Sequence, residues 1–572
     1  MNYKILFSIL TILFVFMLAS GTAFAAPVEI RTLDDLMNIS DSDANLSLDY
    51  ILMNDIDVGS QETGALSFKP IGTEANPFTG TFDGDGYTIS NITFSDNTMD
   101  NVGLFGRAGV QYPLIDYETF PYDVVLKNVV LKEVNITGRD GVGGLLGHGF
   151  YVLIEDCSIE NSRSSSIISG ETWVGGLTGF MFQCHISDSH AVCNVAGTNN
   201  VGGLAGTTGF SNISKSYSTG DVIGTGERIG GLVGFLGGES LDHWRGRPAT
   251  ISDSYATGNV TGSGDYVGGL VGDMRFSDLF TSYATGNAIG KNNVGGLVGS
   301  VWGSHVSDNY ATGSATGTDT VGGFVGSLGG SQSFVSNSYA AGTASGISNV
   351  GGFVGSMWDP TDVVPISNSF YVELGTPNLG GDTSRGSSAT PTEMRSLSTF
   401  TNASWNISLS PTSNSIWYIN EGITYPKFCW DYSTVTYYTV IFNSDNGISN
   451  QLKTVVSGDL VTPPQTPGKA GYIFVEWQYP NGTAYDFNTP VTSDLNLIAA
   501  YTTAPVTYMV IFNSDNGISD QFKIVTSGDL VTPPQTPGKP GYTFVEWQYT
   551  NGTAYDFNTP VTSHLNLIAV YQ

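Results

Sequence analysis

Positive charge is what this sequence has least of. Its 572 residues hold 21 Lys and Arg against 51 Asp and Glu, a net charge of −30. So acidic a chain is repelled by nucleic acid and by anionic membrane surfaces, and neither is expected as a partner. Charged residues of both signs make up only 13% of the chain, which suits strands and tight turns more than solvent-facing helices. Helix-start signals are nearly absent. The best is Thr32-Leu33-Asp34-Asp35-Leu36-Met37, whose capping-box spacing leaves room for one or two turns. Long apolar runs are missing too, except Ile5 to Ala19. Lys4 precedes that run and Ala23-Phe24-Ala25 follows it, so residues 1–25 read as a secretory signal cleaved before Ala26. With no later run able to span a bilayer, no transmembrane helix is expected after cleavage. The mature protein is expected to be secreted or held at the cell surface.

Catalytic and metal-binding signatures are also lacking. There is no His-Glu-x-x-His and no Cys-x-x-Cys, and Gly286-Asn287-Ala288-Ile289-Gly290-Lys291-Asn292 lacks the spacing and the Ser/Thr of a phosphate loop. The 6 His are scattered, and His185 and His190 differ by an odd offset that puts them on opposite faces of a strand. Asp83-Gly84-Asp85-Gly86 lacks the further ligands of a calcium loop and reads as a tight turn. No catalytic residue, metal or cofactor is assigned.

What the chain has in abundance is glycine, 73 residues of it, and much of it recurs in one hexapeptide. Val267-Gly268-Gly269-Leu270-Val271-Gly272 has close copies beginning at Val102, Val142, Val174, Val201, Ile229, Val294, Val321 and Val350. The base spacing is 27 to 29 residues, with insertions. Such a period marks a stacked-repeat architecture, and each copy is read as one strand of one coil of a parallel β-helix. Three strands per coil are expected: Val267–Gly272, a segment ending Ser282-Tyr283-Ala284-Thr285-Gly286, and Asn287-Ala288-Ile289. In the full copies the first position is β-branched and the fourth is Leu or Phe. Both read as buried although they are three apart, so Gly-Gly must bend the chain between them. His190, Tyr217, Tyr255, Tyr283, Tyr310 and Tyr339 form an aromatic ladder. Asp188, Lys215, Asp253, Thr281, Asp308 and Asn337, two residues earlier, are expected on the same face.

Cys157 and Cys184 are one period apart, each two residues before an Ile, and are expected to stack on adjacent coils. An exported chain permits a disulfide between them, and two buried thiols are the equal alternative. Two insertions break the repeat, at roughly residues 107–140 and after Gly234. The second carries Asp242, His243, Trp244, Arg245 and Arg247, which with Trp302 and Trp358 at turn positions are the candidate binding residues. Loops on one side of a solenoid are where binding is usually placed, and turn packing is the alternative. Ten Asn-x-Ser/Thr sequons occur. Beyond Asn38 and Asn45, the glycosylation candidates are Asn91, Asn135, Asn212, Asn259, Asn402, Asn406, Asn481 and Asn551.

The organisation is read as an N-terminal cap and first coils over 26–100, repeats over 101–375, and a cap and linker over 376–434. Two modules follow, 435–502 and 506–572, repeating with a period of 70: Gly471-Tyr472-Ile473-Phe474-Val475-Glu476-Trp477 recurs as Gly541 to Trp547. Trp477 and Trp547 are read as core.

The Val-Gly-Gly-Leu-Val-Gly copies, followed by Ser-Tyr-Ala-Thr-Gly, resemble the GLUG-motif repeat proteins. Phe82-Asp83-Gly84-Asp85-Gly86-Tyr87-Thr88-Ile89 resembles the start of that region. The resemblance covers about residues 30–375 and implies an extracellular, pectin-lyase-like, right-handed parallel β-helix. The C-terminal modules are similar to Listeria–Bacteroides repeats of the internalin B-repeat type, which implies a β-grasp-like fold. Glu476 and Glu546 stand where that family usually has Gly before Trp. Both families are found mainly on microbial cell surfaces. The expected function is a non-catalytic adhesive or envelope-structural role, with a glycan or another surface protein as partner. The alternative is an extracellular carbohydrate-active β-helix enzyme, a polysaccharide lyase or hydrolase.

Overall fold

The computed structural model describes residues 26–60, 68–111, 122–161, 166–237, 248–358, 364–373, 385–412, 414–434, 437–447, 450–456, 460–487, 489, 491 and 493–572. Residues 1–25, read above as a secretory signal, lie outside them, as does the 238–247 insert with Asp242, His243, Trp244, Arg245 and Arg247. The chain divides into two compact units, the first ending at Tyr432 and the second running from Ser433 to Gln572.

The first unit is a parallel β-helix with five strands per coil, not the three expected. In one coil these are Val267–Gly268, Val271–Arg275, Ser277–Phe280, Tyr283–Ala284 and Ala288–Ile289. They belong to sheets of 8, 9, 12, 12 and 9 strands, here named the first to fifth faces. The extra strands come from corners that the sequence pattern does not announce. Gly269-Leu270 turns the first face into the second. Left-handed residues at Phe276 (φ 51°) and Thr281 (φ 47°) make the next two corners. Val267, Leu270, Val271, Met274, Leu279, Ala284 and Ala288 are all fully buried, so each strand, and the Gly-Leu corner, sends a side chain into one continuous core. The bend between the first and fourth motif positions is therefore real. Gly269 permits it because a Cβ there would lie 2.1 Å from the Gly296 carbonyl oxygen of the next coil.

At the N-terminus the short helix Leu33–Met37 carries a full capping box from Thr32 and Asp35 and buries Leu36. Asp83 accepts from the Asp85 N–H and from Asn128 Nδ2 and pairs with Lys127 at 3.0 Å, so its carboxylate is used in the turn.

The corner residues Asp188, Lys215, Asp253, Thr281, Asp308 and Asn337 all have positive φ, from 47° to 56°. They are left-handed corners, not members of the tyrosine face as expected. Beside them runs a ladder of buried hydroxyls. Ser216, Ser254 and Ser282 each accept a backbone N–H from the preceding coil and donate to a carbonyl two residues back. Asn309 takes the same place with its amide. Cys157 heads this ladder, its N–H donating to Ser189 Oγ. Cys184 heads a different one, its N–H donating to Ser211 Oγ. The expected stacking of the two cysteines fails because Cys157 aligns with Ser189, 32 residues on, across a longer coil. Both are buried free thiols, raised to about 12 by burial.

The aromatic ladder stacks as expected, with centroids 4.6 to 5.1 Å apart and planes within 5°. The segment beyond residue 385 adds the strand Ser387–Ala389 to this fourth face. It then runs back along the ladder, packing Trp405, Trp417, Phe428 and Trp430 against it. Tyr283 donates to Asp431, Tyr339 to the Pro426 carbonyl and Trp417 to Asp308.

Each module of the second unit is a four-stranded mixed sheet. In sheet order the strands are Gln451–Val456, Tyr437–Asn443, Leu495–Thr503 and Tyr472–Gln478, with only the central pair parallel. The second module repeats the pattern. A register shift falls between Phe474 and Glu476, and again between Phe544 and Glu546, just before the tryptophans. Trp477 and Trp547 are 4% exposed and pack on Phe442 and Phe512. They are core.

Candidate functional site

Exposed aromatic side chains gather at the corner between the second and third faces. Backbone register places Arg275, Trp302 and Gly329 in one column, and Trp358 follows Gly329. Trp302 is 39% and Trp358 59% exposed. Their rings meet edge to face at 6.3 Å although they belong to coils two apart. Gly329 makes that contact possible: a Cβ there would sit 2.9 Å from Trp302 ring carbons and from the Trp358 Cβ. On the adjoining third face, Asp278, His305 and Phe334 form an outward column. His305 stacks on the exposed Phe334 at 4.3 Å and pairs with Asp278 at 3.0 Å. Phe280, also exposed, projects from the same face. The structure thus brings Trp302 and Trp358 together.

Two further columns flank the glycine motif. The residue just before each copy is left-handed: Asn101, Gly141, Trp173, Asn200, Arg228, Tyr266, Asn293, Thr320 and Asn349 have φ from 50° to 67°. The residue just after each copy lies on the second face. Register aligns Arg107, His148, Phe180, Thr207, Phe235, Asp273, Ser300, Ser327 and Ser356. The motif is nearly invariant along the chain while its two flanks are not, and that contrast is the sequence signal that would have found them.

Two clusters form where the flanks carry chemistry. In the early coils His148 lies against Phe150 and Phe180, and its Nδ1 meets Asn101 Oδ1 at 3.2 Å. Burial, aided by the Arg107 guanidinium, pushes His148 down to about 3. In the middle coils Asp273 is fully buried between two arginines. Arg228 Nε approaches its Oδ2 at 3.2 Å, and Arg275 Nε and Nη2 do so at 3.0 Å each. The Phe235 ring lies under Arg228 at 4.8 Å and within 6.0 Å of Arg275. Asp273 Oδ1 and His148 Nε2 have no hydrogen-bond partner among the described residues. Neither cluster contains three metal-ligating side chains, and no such group occurs among the described residues.

Among the sequons, Asn259, Asn402, Asn406, Asn481 and Asn551 are exposed, whereas Asn91, Asn135 and Asn212 are half-buried. Asn91 Nδ2 is engaged by Asp57. No helix among the described residues is long and apolar enough to cross a membrane.

Residues 225–261 match the GLUG motif, and residues 438–500 and 508–570 each match the Listeria-Bacteroides repeat domain. The chain is 33% identical to Halomucin of Haloquadratum walsbyi over 161 residues, 27% of this chain and 2% of that protein. It is 32% identical to Internalin H of Listeria monocytogenes over 170 residues, 28% of this chain and 30% of that protein. It therefore spans less than a third of either relative. A solved structure from Bacteroides ovatus, described as a candidate immunoglobulin A1 protease, aligns over 71% of this chain and 93% of its own at 16% identity. Its TM-score of 0.27 is too low to carry an argument.

Proposed function

We propose that this chain, a parallel β-helix bearing the GLUG motif and followed by two Listeria–Bacteroides repeat domains, is an extracellular, non-catalytic adhesive or envelope protein that binds a glycan along the corner between its second and third faces. One observation carries the reading. Trp302 and Trp358 meet at this corner, and the exposed Phe334 lies beside it on the third face, stacked on His305. Isolated exposed apolar residues need no explanation, but a contiguous aromatic patch marks an interaction surface. Rings with one apolar face and one polar edge suit the mixed CH and OH surface of a saccharide. Coils repeat every ~4.8 Å, so an extended chain lying along the axis would meet equivalent positions repeatedly. The apolar leader supports export, and the resemblance to surface-protein repeats supports display. The 238–247 insert remains a proposed contributor, and so do the sequons as glycosylation sites.

A glycan-array screen of the mature protein tests this. Trp302→Ala and Trp358→Ala are each expected to weaken the strongest hit by about tenfold, the order of a base or ring stacked on one aromatic, with far-UV circular dichroism unchanged. Undiminished binding by both variants would remove the corner from the proposal. The second reading, a carbohydrate-active enzyme, draws on the buried Asp273 with its unused oxygen. New reducing ends or unsaturated products from a polysaccharide panel would establish it in place of the first.

A further inference from the structure

The aromatic corner does not end at Trp302. Its next member upstream is Arg275, paired in register with Trp302 on the adjacent coil, and Arg275 is the outer member of the Arg228–Asp273–Arg275 cluster. Asp273 is buried completely, whereas Arg275 and Arg228 expose 39% and 26% of their side chains. Two guanidiniums face the one buried carboxylate, so Asp273 alone does not neutralise them; Glu227 and Asp265 lie around the neighbouring Tyr266. The bonds also fix an orientation. Arg275 turns Nε and Nη2 inward to Asp273 Oδ2, and its Nη1 amino group has no protein partner among the described residues. Phe235 supports both guanidiniums from below, which restricts their rotamers at no cost in charge. A structural ion pair needs one arginine, and the second is what needs explaining. The acids next in sequence are Glu227 and Asp265, and Asp265 accepts a hydrogen bond from Asn292.

We infer that Arg275, held by Asp273 and backed by Arg228, is an anion-recognising subsite at the upstream end of the aromatic corner, so that the glycan bound there is an acidic polysaccharide. Its carboxylate or sulfate groups accept from the guanidinium while neighbouring sugar rings lie on Trp302 and Trp358. A guanidinium presents fixed paired donors that match a carboxylate or sulfate. The inference rests on the glycan-binding reading above and adds the class of glycan.

The test uses the full mature chain with three probes: polygalacturonate for carboxylate, dextran sulfate for sulfate, and unmodified dextran as the neutral reference. Affinity is read by calorimetry at low and at high salt. One of the acidic polymers is expected to bind at least about tenfold tighter than dextran at low salt, the worth of one charge-assisted hydrogen-bond pair. Salt should narrow that ratio. Arg275→Gln should reduce the ratio of acidic to neutral affinity by about tenfold, and Arg275→Lys should restore only part of it. Because Arg275→Gln weakens the support of a buried carboxylate, Arg275→Gln/Asp273→Asn, which removes the pair together, is measured beside it and should show the same loss. Which acidic polymer wins identifies the anion. Equal affinity for all three probes, or a ratio unchanged in both variants, would overturn the subsite while leaving a corner that still depends on Trp302 and Trp358. Failure of every probe, with Trp358→Ala indistinguishable from the parent, would instead overturn the glycan-binding reading itself.

Discussion

His148 is the side chain whose chemistry is most altered by its surroundings. Burial between Phe150 and Phe180, with Arg107 nearby, holds it neutral down to about 3. In the unfolded chain a histidine takes up its proton near ~6.5. Between those values the unfolded state binds the proton and the folded state does not, so stability falls as pH falls. The contribution is complete above ~6.5 and is lost progressively toward 3. The thermal midpoint should therefore decline from about pH 7 to about pH 4, and His148→Phe should decline less steeply. Equal slopes in the two proteins would show that His148 is already solvated in the fold. Nothing in the sequence around Gly147-His148-Gly149 announces this environment. It arises because the residue after each glycine motif stacks on its neighbours 27 to 41 residues away.

At the scale of the element, the coil is held at its corners as much as along its strands. The hydroxyl ladder satisfies backbone N–H groups that no sheet can reach, because a left-handed corner interrupts the hydrogen-bonding pattern there. Ser254 is fully buried, accepts from the Ser216 N–H and donates to the Ser252 carbonyl. Ser254→Ala orphans both and should cost ~1–3 kcal/mol, read as a lowered unfolding midpoint. Ser263→Ala, at an exposed hydroxyl, should cost within ~0.5 kcal/mol. The strands themselves were legible, because apolar positions such as Leu279, Ala284 and Ala288 recur with the period. The corners were not. Asp253, Thr281 and Asn337 share no residue type, and Thr281 is β-branched, the kind least expected at positive φ. Three short strands per coil were therefore read where five exist. The same blindness misplaced Cys184: an inserted stretch lengthened the coil, so a spacing of one base period did not mean the same position around the coil.

For the whole molecule, the repeat period sufficed for the parallel β-helix, and the period of 70 for the pair of C-terminal modules, since both are written in copies of themselves. The candidate site was only half legible. Trp302 and Trp358 stand out as rare residues at a turn, but the Gly329 that lets them meet looks like any other glycine. Arg228, Asp273 and Arg275 are scattered over 48 positions and meet only because Arg228 and Asp273 flank successive motif copies. The corner between the second and third faces is the proposed place where the molecule meets its ligand. Hydrogen–deuterium exchange of the mature chain, with and without the best-binding glycan from the array, tests it most directly. Slowed exchange is expected in peptides spanning 273–277, 299–305 and 326–334, with the two C-terminal modules unchanged. Protection confined to those modules, with the corner exchanging as in the free protein, would contradict it.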